Sequence, residues 1–136
     1  MKKFFLFVFL STVVLFAGCQ VFPEEITQVD EGYQRVAPEE LEAILAAEDI
    51  LLINVRDDLD ENIPGTDFTL HYDQVKDNQD LLPKDKDTRI ILYCVAGGTS
   101  RKAAEAFVDL GYTNISDLAG GIGAWKDAGL PVELKE

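Results

Sequence analysis

The stretch Arg89-Ile90-Ile91-Leu92-Tyr93-Cys94-Val95-Ala96-Gly97-Gly98-Thr99-Ser100-Arg101-Lys102-Ala103-Ala104 changes character twice. Residues 89–93 read as a strand, with the apolar run Ile90-Ile91-Leu92-Tyr93 the pattern of burial on both faces. Residues 94–99 read as a loop with two adjacent glycines, and residues 100–110 as a helix. In that helix Ala103, Phe107 and Leu110 share one face and Lys102, Glu105 and Asp109 another, with Gly111 where a C-terminal cap belongs. Working outward, the run Ile50-Leu51-Leu52-Ile53-Asn54-Val55 predicts another buried strand, and residues 114–118 a further one. Pro38 opens a helical pattern, with Glu39 and Glu40 in its first turn and Leu41, Ile44 and Leu45 at helical spacing. Residues 122–128 read as a short last helix before Gly129-Leu130-Pro131, and residues 33–36 and 68–72 as short extended pieces. Residues 57–65 are polar and turn-rich, and residues 81–86 loop around Pro83. Strands alternating with helices predict an α/β fold, a parallel central sheet with helices on both faces. In such sheets the site lies at the carboxyl ends of the strands, where Cys94 sits.

Composition narrows the function. A chain of 136 residues, 47% hydrophobic and 27% charged, suits one domain with one core. The formal net charge of −13 makes nucleic acid or an anionic membrane surface a poor electrostatic partner. Two cysteines and one histidine cannot build a four-ligand Cys/His zinc site, so no metal is expected.

The first segment reads as an address. Lys2 and Lys3 precede an apolar run, residues 4–16, that is shorter than the ~20 residues a spanning helix needs. Ala17-Gly18 supplies a small-residue cleavage zone, and Leu15-Phe16-Ala17-Gly18-Cys19 resembles a bacterial lipoprotein lipobox, with Phe16 in place of the usual aliphatic residue. That resemblance implies a signal peptide over residues 1–18 and lipid attachment at Cys19, which would tether the chain to a bilayer. An uncleaved anchor and an ordinary signal peptide are the alternatives. On the lipoprotein reading the protein is exported and lipid-anchored to a bacterial membrane, on its periplasmic or outer cell-surface side. Loss of Lys2 and Lys3 would take the mature net charge to about −15. Residues 20–32 carry four acidic residues and one proline, a short solvated tether, so the domain is placed at residues 33–134.

With Cys19 acylated, Cys94 has no intramolecular disulfide partner, and a lone thiol outside the cytoplasm draws notice. Gly97-Gly98 frees the backbone to turn its N–H groups around one point, and the following helix adds unsatisfied N–H groups and the positive end of its dipole. Such surroundings stabilise a thiolate, lower its pKa, and would equally stabilise a persulfide anion. Cys94 as a small buried residue closing a strand, with Gly-Gly as a plain turn, is the other local reading. Ser100 either caps the helix or donates to the sulfur. Arg56, followed by Asp57 and Asp58, suits a structural ion pair or a substrate contact. His71 reads as a surface or partly buried polar residue, and Trp125 with Ile122 as packing of the last helix on the sheet.

The segment from Tyr93 to Ala104 resembles the active-site stretch of the rhodanese family of sulfurtransferase domains. The likeness continues through Gly111-Tyr112-Thr113-Asn114-Ile115, Leu118-Ala119-Gly120-Gly121-Ile122-Gly123-Ala124-Trp125 and Ala128-Gly129-Leu130-Pro131-Val132. Upstream, Leu52-Ile53-Asn54-Val55-Arg56 is similar to the family's Asp-Val-Arg strand end and Ile63-Pro64-Gly65 to its Ile-Pro-Gly turn. The resemblance implies a rhodanese-like fold and sulfur transfer through a persulfide on Cys94, with no cofactor. A small sulfur donor such as thiosulfate would load the sulfur, and a thiol or cyanide-like acceptor would remove it. Substrate would be held by Val95, Ala96, Gly97, Gly98, Thr99, Ser100, Arg101 and Arg56. Related cysteine phosphatases need Cys-x5-Arg, whereas here the sixth residue after Cys94 is Ser100 and Arg101 follows. Val95 and Thr99 stand where family loops often carry basic residues, and Asn54 where the family has Asp. Those three motivate the alternative, a non-catalytic rhodanese-like module binding a partner, sulfane sulfur or anions at the cell envelope.

Overall fold

The computed structural model describes residues 32–135 and the backbone of residues 28–29. The expected signal peptide, Cys19 and most of the expected tether therefore lie outside the described residues. Among the described residues, eight strands and three α-helices follow in the order β1 (Gln28–Val29), β2 (Tyr33–Val36), α1 (Pro38–Ala47), β3 (Leu51–Asn54), β4 (Glu61–Asn62), β5 (Phe68–Thr69), β6 (Ile90–Tyr93), α2 (Gly98–Asp109), β7 (Ile115–Leu118), α3 (Gly121–Asp127) and β8 (Glu133–Leu134), with a short 3-10 turn at Gln79–Leu81. The main sheet runs β1-β2-β7-β6-β3-β5. Only β1 is antiparallel to its neighbour in that sheet; every other pairing is parallel.

Period-2 alternation of the strand side chains divides the core between the two faces. Ile53, Ile90, Leu92 and Ile115 pack with Ala103, Ala104 and Phe107 of α2. Leu52, Ile91, Tyr93 and Leu118 face the other way, onto Leu41 and Ile44 of α1 and Ile122 and Trp125 of α3. Both faces of β6 are thus covered, which is why its sequence is apolar without alternation. Trp125 takes the packing role expected of it, its Nε1 donating to Pro131 O at 2.7 Å. At α1, Pro38 takes the first turn and the Ala37 N–H reaches the Glu40 carboxylate at 3.4 Å.

Several element ends shift by a residue, the extended piece expected over 68–72 is a strand only at Phe68–Thr69, and three further features differ from the sequence expectation. Helix α2 begins at Gly98 rather than at residue 100, because Gly97, at φ +90°, reverses the chain and lets the helix start at once. The sheet begins before residue 33, with Gln28 and Val29 opposite Gln34 and Tyr33. A second small sheet joins β4 to β8 within the turn-rich 57–65 region and the C-terminal end. Strands of two residues carry too little periodicity to be seen in a sequence.

Candidate active site

Cys94 leaves β6 at its carboxyl end, beside the carboxyl ends of β7 and β3. Helix α3 holds the loop from outside: Ile122 N donates to Cys94 O at 2.8 Å and Gly123 N to Val95 O at 3.0 Å. This contact demands glycine. A Cβ at Gly121 would meet Cys94 O at 2.3 Å, and one at Gly97 would meet Gly120 N at 3.3 Å. With those two carbonyls committed outward, the amides are free to turn in. Gly97 N–H points at Cys94 Sγ at 3.0 Å, and Sγ lies 3.5 Å from Ser100 Oγ. Ser100 makes no cap for α2, whose N-cap is Gly97, so its hydroxyl faces the sulfur and not the helix end.

Burial pushes the Cys94 thiol up, but the Thr99 and Ser100 hydroxyls and the Ser100 and Gly97 amides pull harder. The outcome is a pKa lowered from 9.0 to about 7. Thr99 Oγ1 is shielded from water and lacks a partner of good hydrogen-bond geometry, which leaves the sulfur as the group it can serve. Val95, Ala96 and Gly98 are exposed on the rim, Arg101 projects into solvent from α2, and Gly97 and Ser100 are buried.

Arg56 stands after β3, near enough for the sulfur's charge to act on it, but its guanidinium is paired bidentately with Asp58. Asn54 holds this strand end with both halves of its amide. Its Oδ1 accepts the Arg56 N–H at 2.9 Å and its Nδ2 donates to Asn62 Oδ1 at 2.9 Å. Tyr93 Oη extends the network, lying 3.1 Å from Asn62 Oδ1 and 2.8 Å from Thr66 Oγ1. An ionised Asp at position 54 could accept but not donate, so Asn54 and Asn62 work as a matched pair. His71 sits at the surface between Asp73 and Asp57.

The sequence reading missed Arg35 and Asp117. Asp117, wholly buried on β7, takes Arg35 Nε on Oδ1 at 3.2 Å, and its Oδ2 lies 3.4 Å from Ser100 Oγ. Burial raises the Asp117 pKa despite Arg35, Ser100 and Arg101, which pull it down. The available signal was an acid inside a four-residue strand whose every position is buried. Arg35, Ala96, Gly97, Gly98, Arg101 and Gly120 line an open cleft of about 350 Å³ beside the loop.

The family model for the rhodanese-like domain matches residues 37–128. The chain belongs to the rhodanese-like family. A thiosulfate sulfurtransferase GlpE of Glaesserella parasuis is 24% identical over 106 residues, covering 78% of this chain and 98% of the relative. A sulfurtransferase of Allochromatium vinosum is 31% identical over 93 residues, 65% of this chain and 83% of its own. Among solved structures, the rhodanese-like domain from an Anabaena protein superposes with a TM-score of 0.66 at 23% identity, over 74% of this chain and 79% of its own. A Rhodopseudomonas palustris protein of unknown function, described as a possible tyrosine phosphatase, gives 0.64 at 27% identity over 82% and 98%. The parallel sheet with α2 on one face and α1 and α3 on the other is thus a rhodanese-like fold.

Proposed function

We propose that this rhodanese-like domain is a sulfurtransferase that moves sulfane sulfur from a donor such as thiosulfate to a nucleophilic acceptor through a persulfide on Cys94. The observation that carries the reading is the inward set of donors on one sulfur: the Gly97 amide at 3.0 Å, with Ser100 and Thr99 beside it. Cys94 thiolate attacks the sulfane sulfur of the donor, an S–S bond forms, and sulfite leaves with the electron pair of the broken bond. The amides of the loop then face the persulfide's negative charge, and an acceptor thiolate or cyanide takes the outer sulfur and returns Cys94 to thiolate. Neither step needs a metal or an organic cofactor. Sulfurtransferase-named relatives support this reading.

Phosphoryl chemistry fits less well, since Arg101 falls seven residues after Cys94, and the N–H of Gly97 is already directed at the sulfur itself. Double displacement predicts parallel lines when thiosulfate and cyanide are varied against each other. Turnover by Cys94→Ser equal to the wild type would end the assignment. Binding of thiosulfate without any turnover would instead favour the non-catalytic module that Val95 and Thr99 motivate. From Leu15-Phe16-Ala17-Gly18-Cys19 we further infer export and lipid attachment at Cys19. Cells fed labelled palmitate should label the wild-type chain and not Cys19→Ser.

A further inference from the structure

Ser100 Oγ lies between two acids, 3.5 Å from Cys94 Sγ and 3.4 Å from Asp117 Oδ2, and has one proton to give. Both contacts are within hydrogen-bond reach, the one to sulfur at an ordinary S···O distance, so the single hydroxyl proton can be turned toward either partner. Ser100 and Asp117 have no exposed surface, and Cys94 has 2%. No bulk water therefore mediates between them. The charged groups facing this line are few: Arg35 on β2, held to Asp117 Oδ1 at 3.2 Å, Arg101 on α2, which acts on Asp117 through space, and Arg56 beyond β3 on the Cys94 side.

We propose that Cys94 and Asp117 share a proton through Ser100, so that Asp117 is a positioning residue that receives the thiol's proton when the nucleophile forms. This rests on Cys94 being the nucleophile. In the resting arrangement Cys94 S–H donates to Ser100 Oγ, and the Ser100 hydroxyl donates to the Asp117 carboxylate. On transfer, the Cys94 S–H bond breaks as a new O–H bond forms on Ser100. The original Ser100 O–H bond breaks as an O–H bond forms at Asp117 Oδ2. The negative charge moves from Asp117 to Cys94, and the line of hydrogen bonds reverses, with Asp117 donating to Ser100 and Ser100 to the thiolate. Burial, which holds the Asp117 carboxyl above its ordinary range, makes it a competent proton holder. Two anions on either side of one hydroxyl would compete for its proton, so the two acids titrate as a pair.

The test is the pH profile of Cys94 alkylation by iodoacetamide on the full chain, read at the Cys94 peptide by mass spectrometry. It follows thiolate alone and needs no sulfur donor, so it is independent of whether sulfur transfer is the activity. Asp117→Asn, whose amide can donate permanently to Ser100, is expected to lower the alkylation midpoint by about one pH unit, a tenfold gain in thiolate below it. Ser100→Ala should raise the midpoint, and in that background Asp117→Asn should no longer lower it. Arg35→Gln keeps the site's buried side chains intact. Removing the cation that favours the Asp117 carboxylate should drive the shared proton onto Asp117 and speed alkylation at neutral pH, the reverse of what simple loss of a nearby cation does to a thiolate. An unmoved midpoint in Asp117→Asn, an equal shift with and without Ser100, or slower alkylation in Arg35→Gln would each overturn the relay.

Discussion

Cys94 ionises readily although the low-dielectric interior opposes it, because hydrogen-bond donors aimed at one atom outweigh its desolvation. The direction of that balance sets the pH dependence. With the thiol pKa lowered from 9.0 to about 7, the rate of sulfur loading should rise with pH up to about 7 and level off above it. Thr99→Val keeps the shape of the side chain and removes a hydroxyl. Its loading profile should move to higher pH by about half a unit to one unit, a three- to tenfold loss at pH 6. A profile unchanged in that variant would show that Thr99 Oγ1 contributes nothing to the thiolate. Stability follows the same sign. A depressed folded-state pKa favours the folded chain at high pH, so wild type should gain on Cys94→Ser between pH 7 and 9 and lose that gain as pH falls through about 7. The gain is at most about 2–3 kcal/mol, readable as a difference in denaturant midpoint between the two proteins across that range.

Elements decide where the donors point, and here the glycines divide into those that are required and those that are not. Gly121 has φ +61° and no room for a Cβ against Cys94 O, so Gly121→Ala should cost roughly 2–4 kcal/mol and shift the loop out of register with the sulfur. Gly98 is helical with open space around its Cβ direction, so Gly98→Ala should be neutral or stabilising by up to about 1 kcal/mol. Thermal melts of the two variants distinguish these cases directly. The same contrast explains what was legible in the sequence. The long apolar runs of β3 and β6 and the amphipathic pattern of α2 announce themselves, because each is a continuous local signal. The start of α2 at Gly98 was hidden, since a left-handed Gly97 and not a capping side chain sets it. Arg35 and Asp117 were hidden for another reason. They come from β2 and β7, 82 residues apart, and only the parallel pairing of those strands sets them opposite each other. Asn54, read as a departure from the family pattern, is explained by Asn62, whose partnership no local spacing reveals.

At the scale of the whole molecule, a net charge of −13 surrounds a site suited to an anion. If the proposed donor is thiosulfate, local hydrogen-bond donors and the arginines near the loop hold that dianion against a repulsive far field. Raising ionic strength shortens the Debye length from about 30 Å at 0.01 M to about 8 Å at 0.15 M, which removes the far field before it weakens the contacts. The loading rate at limiting thiosulfate should therefore rise by roughly two- to threefold over that range, as opposed to falling as it would at a net basic site. Both faces of the sheet are covered, and Phe107 of α2 is wholly buried on one of them. Phe107→Ala should destabilise the domain by about 3–5 kcal/mol without touching the loop. Cys94 is the proposed carrier of the sulfur. The most direct test is the intact mass of the full chain, purified in detergent, after incubation with thiosulfate and removal of excess, beside Cys94→Ser. A gain of one sulfur atom on the wild type alone, released by cyanide, is the expected result. No gain with thiosulfate, polysulfide or a small-molecule persulfide, or a gain that survives Cys94→Ser, would contradict it.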